Sequence, residues 1–184
     1  LLWGCVDQHP YRTEGGGDRL VGTSAAILAI CDRLELDLVG VPKTVQAMPA
    51  RYEGVAEIGQ PMAPDLEMLS SLHPDFVISP ATLIDDLRPK YAAAGLASIF
   101  LDLKSVQGMY DAIGYRAEKV DRPDQAAVLS AEYDRFVDEY ESSVAGLERP
   151  RVLLLMGVPG SYLVATDKSY AGSLVALAGG ENVY

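Results

Sequence analysis

The stretch that decides the fold is RLVGTSAAILAICDRLELDLVGVP, which occupies residues 19–42. A short apolar run over residues 20–22 is followed by apolar residues at helical spacing and then by a second apolar run over 38–41. Thr23 or Ser24 is a suitable N-cap for the helix between the two runs. A buried strand, a helix and another buried strand, in that order, predict a parallel sheet of the α/β class.

The same alternation continues downstream. Further strands are predicted over residues 56–59, 76–79 and 98–101, and further helices over 66–72 and 83–94. Asp65 precedes the first of these helices as an N-cap, and Gly95 ends the second. We therefore expect a Rossmann-like N-terminal α/β lobe over residues 19–118.

One long helix is predicted after this lobe. From Pro123, a residue suited to a first helical turn, to about residue 147, the only internal glycine or proline is Gly146. At 1.5 Å per residue, about 24 residues span roughly 36 Å, which is about the width of a small lobe. We assign residues 119–149 to a linker helix that runs from one lobe to another.

The last 35 residues predict the start of a second α/β lobe. Residues 152–156 are expected to form a strand, 157–161 a sharp turn, 162–165 a hairpin arm and 169–178 a helix. This length cannot cover both faces of a parallel sheet, so the lobe over residues 150–184 is predicted to be incomplete.

Composition and charge exclude several functions. The 184-residue chain carries 15 Lys and Arg against 26 Asp and Glu, a formal net charge of −11. Such a chain repels phosphate backbones and anionic lipid surfaces, so binding to nucleic acid is excluded. No apolar run reaches the roughly 18 to 20 residues of a membrane-spanning helix, so none is predicted.

The two cysteines are interpreted separately. Cys31 falls in the apolar helix of the opening stretch and is expected to be a small buried side chain. Cys5 follows Leu2 and Gly4, the pattern at the end of a bacterial lipoprotein signal, although a cloning remnant would also account for it. On the first interpretation, residues 1–18 are a leader stub and a flexible leash, and Cys5 is lipidated.

Motifs that indicate catalysis are absent. The sequence has no GxGxxG, Walker A, GxSxG, HExxH or CxxC motif. His9 lies in the predicted leash, and His73 in a turn before a strand, without the spacing of a metal site. Asp85 and Asp86 are expected on an exposed helix face. No enzymatic activity is predicted.

The loop GQPMAPDLE at residues 59–67 is the most unusual feature, since it holds a methionine between two prolines. On one interpretation, Met62 packs down onto the lobe. On the other, its thioether is held on a stiff turn at the crevice where open α/β folds bind ligands. A thioether suits copper or haem iron better than magnesium or calcium.

Six blocks of the sequence together resemble one family. The blocks are RLVGTS (19–24), DLVGVP (37–42), MPARY (48–52), GQPMAPD (59–65), LHPDFV (72–77) and MGVPGSYLVAT (156–166). They are similar to the haem-binding lipoproteins of iron-regulated surface determinant systems, the substrate-binding components of haem ABC importers. These belong to the wider family of helical-backbone binding proteins for cobalamin, siderophores and haem.

The resemblance implies two α/β lobes joined by a rigid helix, with haem held in the cleft between them. It makes Met62 the axial ligand to the haem iron from the N-terminal lobe. The second axial ligand of the family is a histidine deep in the C-terminal lobe, expected beyond Tyr184.

The resemblance also indicates the groups that hold the haem propionates. The family places a helix N-terminus under them, and here Ser24, Ala25 and Ala26 begin such a helix. The loop after the second strand approaches the propionates as well. In that loop Val45 and Gln46 stand where a Tyr-Lys pair is expected.

Glu67 matches another family feature, because binding proteins of this class present one acid per lobe to arginines of the transporter's membrane subunits. The alternative is that Glu67 is an exposed acid stabilised by the dipole of the helix that it begins.

The function implied is capture of extracytoplasmic haem, the transported ligand, and its delivery to an ABC permease. The protein is expected to be anchored to the cell membrane by lipid or to be periplasmic. A carrier of cobalamin or ferric siderophore is the alternative within the class. An enzyme with a metal cluster between two lobes would need several cysteines, which Cys5 and Cys31 cannot supply. A folded lobe that binds nothing is the third alternative.

Overall fold

The computed structural model describes residues 18–117 and 122–184. Cys5, His9 and the predicted leash up to residue 17 lie outside the described residues. The elements follow one another along the chain as β1 (Leu20–Gly22), α1 (Ala25–Arg33), β2 (Leu38–Val41), β3 (Ala56–Glu57), β4 (Gly59–Gln60), β5 (Ala63–Pro64), α2 (Leu66–Ser71), β6 (Phe76–Pro80), α3 (Ile84–Ala93), β7 (Ser98–Leu101), α4 (Val106–Ala117), α5 (Pro123–Val144), β8 (Arg151–Val152), β9 (Leu155–Val158), β10 (Ser161–Val164), α6 (Tyr170–Leu177) and β11 (Glu181–Asn182).

A five-stranded parallel sheet organises the first hundred described residues. Its strands lie in the order β3-β2-β1-β6-β7, and every neighbouring pair is parallel. The chain moves outward from β1 through β2 to β3 and then returns to the other side of β1, so the order reverses between β1 and β6. In open α/β sheets, ligands bind outside the carboxyl ends of the strands at such a reversal. The predicted α/β class is confirmed.

Alternating side chains of the strands form two cores, one on each face of the sheet. Leu20 and Ile78 pack on the face covered by α1 and α5, whereas Val21 and Val77 pack on the face covered by α2 and α3. Cys31 is buried in the first core, as expected. Both faces of the sheet are therefore covered by helices, which makes the fold doubly wound.

Helix α5 begins at Pro123 and runs for 22 residues. Its first turns pack on the lobe through buried Ala126 and Leu129. Further along, the Tyr133 ring stacks on Tyr110 of α4, with ring centroids 4.2 Å apart. The predicted long helix is confirmed, although it ends three residues before position 147, and at 1.5 Å per residue it is about 33 Å long.

The predicted strand over 152–156 is wrong, because two different sheets divide this apolar run. Val152 in β8 pairs with Asn182 of β11 in a parallel arrangement, whereas Leu155 in β9 pairs with Val164 of β10 in an antiparallel hairpin. Leu153 and Leu154 connect the two strands. The predicted hairpin arm and the last helix are found as β10 and α6, and the latter is capped by Ser169.

Helix α4 was not predicted from the sequence. Its start carries an N-cap signal, since the Ser105 Oγ accepts a hydrogen bond from the Gly108 N–H at 2.9 Å. Gly108 and Gly114 interrupt the apolar pattern of this segment, and glycine disfavours helices. Packing of buried Ile113 into the core outweighs that preference.

Candidate functional site

The sequence-predicted site residues lie on loops that leave three neighbouring strands. Ser24, Ala25 and Ala26 follow β1, Val45 and Gln46 follow β2, and the β4–β5 hairpin with Met62 follows β3. Because these strands are parallel and adjacent, all three loops leave the sheet at its carboxyl edge. The structure thus places these residues along one edge, at and beside the reversal of strand order.

The N-terminus of α1 presents free backbone donors at this edge. Ser24 is the N-cap, with extended backbone angles (φ −149°, ψ 158°), and its side chain accepts a hydrogen bond from the Ile27 N–H at 3.4 Å. The N–H groups of Ala25 and Ala26 belong to the first turn, where no helical carbonyl can accept from them. This turn is therefore suited to an anionic group.

Met62 lies at the tip of the β4–β5 hairpin. Gly59 pairs with Pro64 and Gln60 with Ala63, which leaves Pro61 and Met62 as the turn. The side chain of Met62 is 74% exposed. The interpretation that it packs down onto the lobe is wrong, and its thioether is accessible to a ligand.

The base of this hairpin is fixed to the sheet by backbone hydrogen bonds. The Ile58 N–H donates to the Val41 carbonyl at 2.8 Å, the Lys43 N–H to the Gly59 carbonyl at 2.8 Å, and the Asp65 N–H to the Ile58 carbonyl at 2.7 Å. Gly59 has a φ of 88°, in the left-handed region that glycine adopts without strain. The hairpin that carries the methionine is therefore a stiff support.

The loop after β2 is open to solvent. Val45 is fully exposed, and the Gln46 N–H donates to the Thr44 Oγ1 at 3.1 Å in a local turn. Lys43 begins the same loop and is exposed. At its tip the loop presents the side-chain amide of Gln46 and the apolar side chain of Val45, together with backbone groups. Its positive charge, on Lys43, lies two residues before Val45.

Glu67 lies on the first turn of α2. The Asp65 side chain caps this helix by accepting hydrogen bonds from the Glu67 N–H at 2.9 Å and from the Met68 N–H at 3.0 Å. The Glu67 carboxylate is exposed and forms no ion pair with any residue that the structure describes. Both the docking role and a purely local role are compatible with this position, so the docking role stays a prediction.

Three buried hydroxyls beneath the site were missed in the sequence. Thr23 and Ser79 are fully buried at the carboxyl ends of β1 and β6, and the Thr23 hydroxyl donates to the Ser79 Oγ at 2.9 Å. The Ser79 Oγ lies 3.3 Å from the hydroxyl of buried Tyr91. Burial raises the pKa of Tyr91, and the hydrogen bond with Ser79 partly opposes this. The signal in the sequence was a hydroxyl residue at the end of each of two buried strands, Thr23 after β1 and Ser79 in β6.

Metal-binding and thiol chemistry are not features of the described residues. Within residues 18–117 and 122–184 there is no cluster of three His, Cys, Asp or Glu side chains that could hold a metal ion. Burial raises the pKa of the Cys31 thiol to about 12, so this thiol is neutral at physiological pH. In the same ranges, no helix combines the length and apolar character needed to cross a bilayer.

A doubly wound parallel sheet with a helix N-terminus and an exposed thioether at its carboxyl edge is the architecture of the open α/β class, whose members bind ligands at that edge. More specifically, the chain belongs to the periplasmic binding protein family, whose sequence profile matches residues 20–184.

Known proteins of this family include two similar to the chain. The high-affinity haem uptake system protein IsdE of Staphylococcus aureus is 42% identical over 185 residues, which cover all of this chain and 63% of IsdE. The crystal structure of S. aureus IsdE complexed with haem superposes with a TM-score of 0.85, covering 92% of this chain and 66% of that one. An ABC transporter substrate-binding protein from Listeria monocytogenes is 44% identical, with a TM-score of 0.87 and the same coverages.

The chain spans about 63% of the length of the curated relatives that it matches.

Proposed function

We propose that this chain belongs to an extracytoplasmic substrate-binding protein that captures haem and delivers it to an ABC transporter permease, without chemistry on the ligand. The proposal is supported by the identity of 42% to IsdE over the whole chain and by the similarity to the haem complex of that protein. Haem is the transported ligand, and the membrane subunits of the transporter are the partner.

The observation that carries the proposal is the exposed thioether of Met62 on its stiff hairpin. A thioether is a known axial ligand of haem iron, and the hairpin holds it beyond the carboxyl edge of the sheet. We propose that Met62 is the axial ligand from this lobe. His73 precedes β6 and therefore lies at the opposite, amino edge of the sheet, so it is not proposed as a ligand.

The propionates of haem are proposed to bind at the first turn of α1. The net charge of −11 does not attract a dianion, so local donors must hold it. The backbone N–H groups of Ser24, Ala25 and Ala26 are such donors. Val45 and Gln46 are proposed to approach the same groups from the loop after β2.

Titration of the protein with haem tests the role of Met62. Met62→Ala removes one axial ligand, so we expect a shifted Soret band and an affinity for haem weakened by about tenfold or more. Mutation of residues that only hydrogen-bond to a metal ligand already changes affinity on this scale. Absorption spectroscopy and the Kd for haem are the measurements.

Met68→Ala is the matched control, because Met68 is also a partly exposed methionine (40%) but lies on α2. It should leave the spectrum unchanged. A Met62→Ala spectrum identical to that of the unmodified protein would remove Met62 as the ligand. Binding of cobalamin or of a ferric siderophore in place of haem would overturn the choice of ligand.

Glu67 is proposed to dock the protein onto its transporter. Its carboxylate lies on the surface without an intramolecular ion pair among the described residues, which leaves it available for an arginine of a membrane subunit. The site that holds haem and the surface that meets the permease would then be separate.

The anchoring and the domain boundaries are further proposals. We propose that Cys5 is lipidated, that residues 1–4 are the stub of a leader and that residues 6–18 form a leash from the membrane to the lobe. Residues 19–118 would then be the N-terminal lobe, 119–149 the linker helix and 150–184 part of a C-terminal lobe. Mass spectrometry of the protein purified from membranes would detect the lipid on Cys5.

A further inference from the structure

The three hydroxyls of Thr23, Ser79 and Tyr91 form one connected chain inside the lobe. The Thr23 hydroxyl donates to the Ser79 Oγ at 2.9 Å, and that oxygen lies 3.3 Å from the Tyr91 hydroxyl. All three side chains are fully buried. The chain of hydroxyls connects the end of β1 to the end of β6 and to α3, across the reversal of strand order.

Thr23 is bound to β6 by its backbone as well as by its side chain. Its N–H donates to the Ile78 carbonyl at 3.1 Å. The next residue, Ser24, is the N-cap of α1, and Ala25 and Ala26 follow with their unpaired first-turn N–H groups. The direction in which these N–H groups point therefore depends on the position of Thr23, the residue directly before the N-cap.

A buried polar chain is a costly way to fill this space, since an apolar group of the same shape would avoid the desolvation of the hydroxyls. Hydrogen bonds are directional, however, and a fully satisfied buried network fixes one arrangement. Within the described residues, no buried side-chain nitrogen or oxygen lacks a partner. The hydroxyl chain thus fixes the entry to α1 more narrowly than apolar packing would.

We propose that Thr23 is a positioning residue for the bound ligand. Its hydroxyl is held by Ser79, which Tyr91 contacts in turn. Thr23 thereby aims the first-turn N–H groups of α1 at an anionic group, and it acts on affinity only through that group. This inference rests on the proposed function, because it takes the carboxylates of haem as the anionic group.

The experiment compares haem with haem dimethyl ester, in which both propionates are esterified and uncharged. Thr23→Val has nearly the same shape as threonine but lacks the hydroxyl, and Thr23→Ser restores a hydroxyl as the control. We expect Thr23→Val to bind haem about tenfold more weakly. Its affinity for the dimethyl ester should equal that of the unmodified protein, and Thr23→Ser should recover most of the affinity for haem. Thermal unfolding of each variant shows whether it is folded.

Equal losses for haem and its dimethyl ester would overturn the proposal, since they would indicate a general disturbance of the lobe. So would an unchanged affinity of Thr23→Val for haem. If Thr23→Val does not fold, Tyr91→Phe, which removes only the last hydroxyl of the chain, provides the same comparison with the same two criteria. An unmodified protein that binds neither ligand would instead refute the proposed function.

Discussion

Gly40 has no room for a side chain. A Cβ built at this position in β2 would lie 2.8 Å from the Leu72 Cδ1, 2.9 Å from the Ile58 Cγ2 and 3.1 Å from the Val21 Cγ2. All three neighbours belong to the core on the α2 side of the sheet. We expect Gly40→Ala to lower the free energy of unfolding by about 1–3 kcal/mol, the usual cost of overpacking. Denaturant unfolding measures this change, which should appear as a lower midpoint with an unchanged m-value.

Gly114 provides the matched comparison. It lies inside α4, and a Cβ there would meet no atom within 4 Å. Gly114→Ala should therefore raise the free energy of unfolding by about 0.5–1 kcal/mol through helix propensity alone. A loss of stability equal to that of Gly40→Ala would show that close packing is not what excludes a side chain from β2.

Single residues also show where sequence reasoning about the site reached its limit. The two prolines beside Met62 identified the loop, but whether the thioether packs or is exposed depends on the β4–β5 pairing, which is not visible in a local pattern. Likewise Thr23 was recognised only as an N-cap candidate. Its partner Ser79 is 56 residues away, so the hydroxyl chain could be found only from the sheet order.

At the scale of elements, local signals predicted most strands of the sheet. The single strand predicted over 56–59 is wrong, because β3 (Ala56–Glu57) belongs to the sheet and β4 (Gly59–Gln60) to the hairpin. The strands over 38–41 and 98–101 were predicted to the residue, because each is a mainly apolar run that is largely buried in the sheet. The run over 152–156 is equally apolar but divides between two partners, Asn182 and Val164. Composition reports how apolar a segment is, whereas pairing depends on which strand comes to lie beside it.

Helix α2 leads to a prediction about transport. Glu67→Gln removes the charge proposed to meet the permease while keeping the size of the side chain. Since Glu67 lies on α2 and none of the proposed haem contacts does, haem affinity should be unchanged. Haem uptake by cells should fall by about tenfold or more, as expected for the loss of one member of a charge pair. Uptake assays in cells that carry the complete transporter measure this.

Glu53→Gln is the control for that experiment, because Glu53 is an exposed acid outside α2, directly after the short 3-10 turn at Ala50–Tyr52. It should transport haem normally. Normal uptake by Glu67→Gln would refute the docking role. Equal losses in both variants would attribute the effect to the overall charge of the lobe.

For the whole molecule, the free energy of unfolding should fall at alkaline pH, because the core holds a thiol and phenol groups in their protonated, neutral form. Burial raises the pKa of Cys31 from its ordinary 9.0 to about 12 and also raises the pKa of Tyr52 and Tyr91. Above pH 9 the unfolded chain releases the thiol proton, whereas the folded chain keeps it. The unfolded state then binds fewer protons, so the free energy of unfolding decreases as pH rises.

Cys31 can be separated from the tyrosines by the choice of pH. Between pH 8 and pH 9.5 the thiol titrates in the unfolded chain, whereas tyrosines, with an ordinary pKa of 10.0, largely do not. We expect the free energy of unfolding to fall by about 1 kcal/mol over this interval. Cys31→Ala lowers stability at every pH by leaving a small cavity, but its loss between pH 8 and pH 9.5 should shrink to the few tenths of a kcal/mol that the buried tyrosines contribute. The same decline in both proteins would show that another group, rather than the buried thiol, couples folding to pH.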